Sequence, residues 1–494
     1  MKKNIKTFEW IMSNPPLKKG AGYPSEGWVG GFKIFFAAVL VFLNVGILSA
    51  ESEVKNKGAR VLTIEEFIRT AALKDTGFEE ILIDELALKY RKDLGLPAKD
   101  IVLSVKSQYE FFLGRDESGP AATVALSKLF PFTGTDITAQ YKTVPAAVPG
   151  SDSSAFTLLI AQPIAKNAFG KEVRLRDKIL GAEIDVMKYQ VTEAYEDYLA
   201  NIITAYFNWY LAYENLKIGE SSYRQNRELL ENIKKRRSSN IALPIDVNKI
   251  NIQVLVKKEN LLTLQEKYEN ISYFIKQAIR SSVDEALEPA DPLMYDDREI
   301  SFDEDYKNFT QNSRTYSILN LLEEKSSLEV AKDADALLPS TNLLLGYELE
   351  GDGTGIKNPE ALLFAGVSVS WPFPNQTYRA GLETSKIADK KIRLANANKY
   401  IQLRTDLKAL LIQIEREQKL ISIAEEKIAI AKSILKDETV NYSYGKVSLN
   451  DFIDASNRVD ENKFNKILRS VQLKILMTEW LRMTDRLISR KDIK

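Results

Sequence analysis

The 494-residue chain contains no cysteine and no histidine. Their absence removes thiol nucleophiles, imidazole bases, disulfides and the usual zinc sites in one step. It also excludes an N-terminal lipid-modified cysteine. An excess of either charge is missing as well: 68 Lys and Arg balance 68 Asp and Glu, so no net field gathers polyanions, which argues against a nucleic-acid partner. A phosphate-binding GxxxxGK[ST] loop is absent too, so nothing in the chain couples to nucleotide hydrolysis. What is present is ample apolar material: 45% hydrophobic residues beside 28% charged ones, a balance that folds rather than stays disordered.

Residues Ile34 to Leu48 form a 15-residue apolar run after Lys33, followed by Ser49, Ala50 and the polar stretch ESEVKNK. A spanning helix needs roughly 20 apolar residues. The run therefore reads as a secretory signal within an extension covering residues 1–50, with cleavage expected after Ala50. An uncleaved anchor is the alternative. No other segment is apolar enough for a helical span, although an exported chain can enter an outer membrane as a β-barrel, whose signal per strand is much weaker.

The rest of the chain shows one plan twice. Thr63 and Glu66, then Ser301 and Glu304, have capping-box spacing ahead of helical apolar periodicity, and the two helices stop near Pro97 and Pro339. After the first, Ile101, Leu103, Val105 and Tyr109 alternate with Ser104, Lys106 and Gln108; after the second, Leu343, Leu345, Tyr347 and Leu349 alternate with Asn342, Gly346 and Glu348. Strands are expected at about 101–113 and 155–163 in the first copy, and at about 340–350 and 361–372 in the second. The first copy carries about 33 additional residues between its strands, as a repeat plus an insertion would. Within the insertion, Gly134 between two alternating runs predicts a hairpin over about 121–144. It is read as an added hairpin in an external loop, and the pattern leaves open whether it joins the barrel or lies outside it.

Each copy then has a very long helical stretch, near 170–238 and 376–444, on the order of 100 Å at the α-helical rise. In the second, Leu403, Leu407, Leu410, Ile414, Glu417, Ile421, Ala424, Ile428, Ala431 and Leu435 keep strict heptad spacing. In the first, Val191, Tyr195, Tyr198, Ile202, Tyr206, Trp209, Tyr213 and Leu216 form a less regular, aromatic seam, suggesting a thicker junction. Both stretches turn and return as helices from about Pro244 and Leu449, with Asn240 and Gly445 suited to positive φ at the turns. The charge run Lys234 to Arg237 reads as solvated helix surface.

This order of elements, with its tip motifs, resembles the outer-membrane efflux protein family typified by TolC-like channels. Tyr442, Gly445, Asp451, Asp454 and Ala455 match the family's second tip; at the first, Asn240 replaces the usual Gly and Asp246 supplies the Asp. The Arg found two residues after the second tip glycine in the family is Val447 here.

The resemblance implies a mainly α fold with a small β part, built as a first repeat at 63–280, a linker at 281–300 and a second repeat at 301–488. Four strands cannot close a barrel alone, so three chains would supply twelve strands to one outer-membrane β-barrel continued by a periplasmic coiled-coil tunnel. The implied function is a passive homotrimeric exit duct in a tripartite efflux or type I secretion system, driven by an inner-membrane pump through a periplasmic adaptor. It is not an enzyme and needs no cofactor. Asp451 and Asp454 would form acidic pore rings, Tyr442 and Asp246 would help hold the tip closed, and Asn240, Ile241, Ala242, Gly445, Lys446 and Val447 would meet the adaptor. Asp451 also suits the N-terminus of the returning helix without any pore. The competing function is a non-conducting coiled-coil spacer in the envelope.

Overall fold

The computed structural model describes residues 59–97, 99–111, 118–144, 153–293, 301–353 and 355–487. The apolar run at 34–48 and Phe112 and Leu113, at the end of the first expected strand, lie outside the described residues. Among the described residues no helix is long and apolar enough to cross a membrane. The chain divides into two compact units, one from Glu79–Glu196 and Ile300–Ala409, the other from Met1–Phe78, Asp197–Glu299 and Leu410–Lys494.

The first unit carries a six-stranded sheet: β2 (Ile101–Phe111), β3 (Ser118–Phe130), β4 (Thr135–Val144), β5 (Ser153–Pro163), β7 (Ser340–Asp352) and β8 (Lys357–Ser370), hydrogen-bonded in that order. Every neighbouring pair is antiparallel. This corrects the expectation of four strands per chain with an external hairpin. The predicted hairpin is β3 and β4, and it lies inside the sheet, pairing with β2 on one side and β5 on the other. The physical reason is that β3 and β4 have the same two-residue alternation as their neighbours, so their backbone groups are satisfied by continuing the ladder.

The turn of the hairpin is also tied down. Gln162 accepts from the Thr135 hydroxyl at 2.6 Å and donates to the Thr133 carbonyl at 2.9 Å. The Arg174 guanidinium donates to the Phe132 carbonyl at 2.9 Å and also to the Phe169 carbonyl. Gly134 (φ 72°) and Gly170 (φ 75°) lie at this contact with no room for a side chain: a Cβ at Gly134 would crowd Pro163 and the Gly170 N–H, and one at Gly170 would collide with the Phe132 and Pro131 carbonyls.

Helices α2 (Thr76–Ala87), α3 (Arg91–Gly95), α6 (Phe302–Asn312) and α7 (Arg314–Ala336) precede the strands. The single helix expected from Thr63 is interrupted at Asp75, whose carboxylate accepts from Gly77 N–H at 3.0 Å. The one expected from Ser301 breaks at Ser313, whose hydroxyl caps α7 by accepting from Tyr316 N–H at 3.3 Å. Thr63 caps α1 (Ile64–Lys74) as expected, whereas Ser301 makes no side-chain cap bond.

Two long helices, α4 (Lys171–Ser238) and α8 (Gln376–Ser443), return as α5 (Pro244–Ala278) and α9 (Leu449–Met483). In the second unit the heptad seam of α8 is buried at Ile414, 1% exposed, and at Ala424 and Ala431, each 7%, and half-buried at Ile421, Ile428 and Leu435. Glu417, a carboxylate in an apolar seam position, is 1% exposed and accepts from Arg469 of α9 at 3.2 and 3.3 Å. The aromatic seam of α4 packs a second, small sheet, in which β1 (Arg60–Leu62) runs parallel to β6 (Leu287–Pro289). Tyr206 donates to the Leu62 carbonyl at 2.7 Å, Trp209 donates to the Ser272 hydroxyl at 2.9 Å, and both rings are fully buried. The segment expected to be a linker at 281–300 thus supplies a strand.

Candidate functional site

Two features are candidates for function: the faces of the sheet and the tips of the helical hairpins. Register places Val105, Val124, Tyr141, Phe156, Leu349 and Ala361 in one row across all six strands, on one face. The next row on that face is Leu103, Leu126, Ala139, Leu158, Tyr347 and Leu363. The opposite face carries Lys106, Thr123, Lys142, Ala155, Glu350 and Glu360 in one row and Ser104, Ala125, Gln140, Thr157, Glu348 and Leu362 in another, so it is mainly polar, with apolar side chains gathered toward β8. The apolar face is open: Leu103 is 62% exposed and Leu363 73%. At 10 to 14 residues, every strand has the length that crosses a bilayer at a tilt of about 45°.

On the polar face Gly346 stands opposite Phe364, whose ring occupies the space a glycine Cβ would need. The ring covers backbone that would otherwise be bare, the role aromatic residues take beside strand glycines.

The first tip joins α4 to α5. Asn240 takes φ 62°, and Ile241 and Ala242 N–H donate to the Arg236 carbonyl at 2.8 and 3.3 Å. Asp246 accepts from Leu243 N–H at 3.2 Å. The second tip joins α8 to α9. Gly445 takes φ 71°, and Lys446 N–H donates to the Asn441 carbonyl at 2.9 Å. Ser448 then caps α9: its N–H and hydroxyl donate to Asp451 Oδ2 at 3.0 and 2.7 Å, and Asp451 N–H donates back to Ser448 Oγ at 3.3 Å. The bonds from Ser448 hold the Asp451 carboxyl below its ordinary range.

Asp246 and Asp451 therefore occupy equivalent positions, each closing the first turn of a returning helix. Asp454, one turn after Asp451 on α9, is exposed. Tyr442 is half-buried in an apolar cluster containing Leu230, Ile233, Ile250, Val254 and Leu449. Its ring stacks on Phe452 at 5.7 Å and carries the Arg236 guanidinium 5.0 Å from its centre. Burial raises the Tyr442 phenol, partly offset by Arg236. Of the six tip residues named from the sequence, Asn240, Ile241, Gly445 and Lys446 are exposed, while Ala242 and Val447 are half-buried.

Three participants escaped the sequence pattern. Ser448 was signalled by the Ser-x-x-Asp spacing to Asp451. Arg236 lay hidden in the run Lys234 to Arg237; Lys234, Lys235 and Arg237 are solvated as expected, but Arg236 is half-buried against Tyr442. Phe452 follows Asp451 and completes the cluster on the return helix.

No protein-family model matches the sequence, and no curated protein matches it either. Solved structures do match. The outer-membrane channel OprN superposes with a TM-score of 0.67 at 13% identity, covering 85% of this chain and 89% of its own. The open state of the Neisseria gonorrhoeae MtrE outer membrane channel gives 0.66 at 13% identity, over 86% and 90%. The Campylobacter jejuni CmeC outer membrane channel gives 0.66 at 12%, over 86% of each chain. With its small sheet, long helices and paired tips, the chain has the fold of these outer-membrane channels.

Proposed function

We propose that the protein is a member of the TolC-like outer-membrane efflux family and forms a passive exit duct. The observation that carries this is the six-stranded sheet, apolar across one face and mainly polar across the other, on the same chain as two long helical hairpins. A lipid-facing apolar band with a polar interior is what a membrane barrel requires. A structural spacer needs no such sheet.

Two tandem repeats, at 63–280 and 301–488, supply the strands and hairpins of each protomer. Three copies assemble, with the sheets in the outer membrane and the helices forming a tunnel in the periplasm. Supporting an assembly, α5 leaves Ile245, Ile252, Leu255 and Leu262 exposed at heptad spacing, and α8 leaves Ile423 and Ile430 exposed. A periplasmic adaptor meets the tips at Asn240, Ile241, Ala242, Gly445, Lys446 and Val447 and links the duct to an inner-membrane pump. The exposed Leu243 and Tyr444 enlarge that surface. Small molecules or polypeptides pass through, and the chain itself performs no catalysis.

Asp451 and Asp454 face the tunnel as acidic rings that hold cations at its periplasmic end. Tyr442 and Asp246 stabilise the closed tip, Tyr442 through its stack on Phe452 and Asp246 through its cap on α5.

The test is single-channel conductance of the refolded mature protein in a planar bilayer, with its mass measured in detergent. A trimer passing cation-selective current is the expected result. A stable monomer or dimer that never conducts overturns the duct in favour of the envelope spacer.

A further inference from the structure

Resting on the trimeric duct proposed above, we infer that three copies join β8 of one chain to β2 of the next and close an eighteen-stranded barrel. The partner at each sheet edge is a second copy of this chain.

Among the described residues the sheet has six strands, and both outer ones, β2 and β8, have a neighbour on one side only. Six strands are too few to close on themselves, because single-chain membrane barrels begin at eight. An unpaired edge in hydrocarbon leaves a row of N–H and C=O groups without partners, at several kcal/mol per group. The edges must therefore be covered by strands. Alternation around the sheet makes β8 antiparallel to β2, so a β8-to-β2 junction between copies continues the same ladder with no change of direction.

Charge on the polar face fits the same junction. In one row of that face β2 carries Lys106 and β8 carries Glu360, beside Glu350 of β7; β2 also contains Glu110 and β8 also contains Lys357, so each edge strand holds one residue of either sign. Joining copies edge to edge at the same level sets Lys106 of one sheet beside Glu360 of the next. Joining β8 to β8 would instead leave the β2 edges bare.

The hairpin β3 and β4 cannot be removed from this ring. It stands between β2 and β5, and among the described residues no β2 to β5 pairing exists to replace it. Its turn is fastened to Gln162 and Arg174. Three copies thus contribute eighteen strands. With strands roughly 4.8 Å apart and tilted by about 40°, the backbone radius is about 18 Å against about 12 Å for twelve strands. The bore is about 1.5-fold wider, in the size class whose lumen is an aqueous channel. The membrane section then passes larger cargo than a twelve-strand ring could.

The test is single-particle electron cryomicroscopy of the full-length protein in lipid nanodiscs, counting strands around the barrel. Eighteen strands on a threefold axis, with β8 beside β2 of the neighbour, is the expected result. A threefold barrel of twelve strands with β3 and β4 outside it overturns the inference and leaves the duct standing. Particles without a threefold axis, or without a barrel, overturn the duct and this inference together.

Discussion

Ser448 and Asp451 cap each other at the start of α9: the serine donates twice to one carboxylate oxygen, and the Asp451 N–H donates back to the serine hydroxyl at 3.3 Å. The same carboxylate is a proposed pore charge, so the structural and electrostatic roles must be separated. Asn at 451 keeps an oxygen acceptor for the cap and deletes the charge. Asp451→Asn with Asp454→Asn should lower cation selectivity, read as a reversal potential moved toward zero in a salt gradient. Ser448→Ala should do the opposite, costing about 1 kcal/mol of tip stability through the lost cap while leaving selectivity unchanged. An unchanged reversal potential in the double Asn variant rejects the acidic rings.

The pH dependence of that cap has a definite sign. Its Ser448 bonds depress the Asp451 carboxyl in the folded state. Its contribution to stability is therefore complete above the unfolded carboxyl value near about 4, and disappears as pH falls through the lower folded value. Hydrogen exchange of the Ser448 and Asp451 amides should stay protected from pH 7 to about 4 and then weaken. The Asp451→Asn variant should lack this step, and a step at higher pH would exclude Asp451 as its source.

A buried ion pair crosses the helical bundle above the tips. Asp460 of α9 accepts from Lys257 of α5 at 3.1 Å and also from the Ser222 hydroxyl of α4, and the side chains of Asp460 and Lys257 are only 8% and 13% exposed. Asp460→Ala strands a nearly buried ammonium and should cost about 3–5 kcal/mol. The joint replacement Asp460→Leu with Lys257→Met removes both charges and should cost far less. Thermal unfolding in detergent, followed by circular dichroism, checks both. Equal losses in the two variants would show that packing, not charge, governs the site.

Periodicity made the long elements legible. The α8 seam was visible because ten positions repeat without interruption, and its one polar member, Glu417, is buried with Arg469 as its partner. The strands were visible because alternation survives along each of them. Membership of a sheet was not, because β3 and β4 look the same whether they pair with β2 and β5 or only with each other; the ladders to β2 and β5, and the turn contacts of Gln162 and Arg174, are between residues far apart in sequence. Short elements were also hidden. Leu287–Pro289 has only three residues, too few for a period, and it is held by Tyr206, Tyr213 and Tyr268 of the helices around it. At the tips, the motif located Tyr442 and Asp451, while Arg236 was masked because a run of four cations gives no hint of which one folds inward.

The fastening of the β3 to β4 turn gives a last prediction. Gly170 has φ 75°, a conformation that favours glycine, and a Cβ there would collide with the carbonyls of Pro131 and Phe132. Ala at 170 meets both penalties: left-handed backbone and contact with backbone that cannot rotate away. Gly170→Ala should therefore cost about 1–3 kcal/mol and release the turn, seen as faster hydrogen exchange at Thr133 and Gly134. Arg174→Ala removes the donor to the Phe132 carbonyl without adding bulk, so it should loosen the same amides to a smaller degree. If neither variant changes exchange at the turn, the hairpin is held by its ladder bonds to β2 and β5 alone, and the Gly170 contact contributes nothing to keeping it in the sheet.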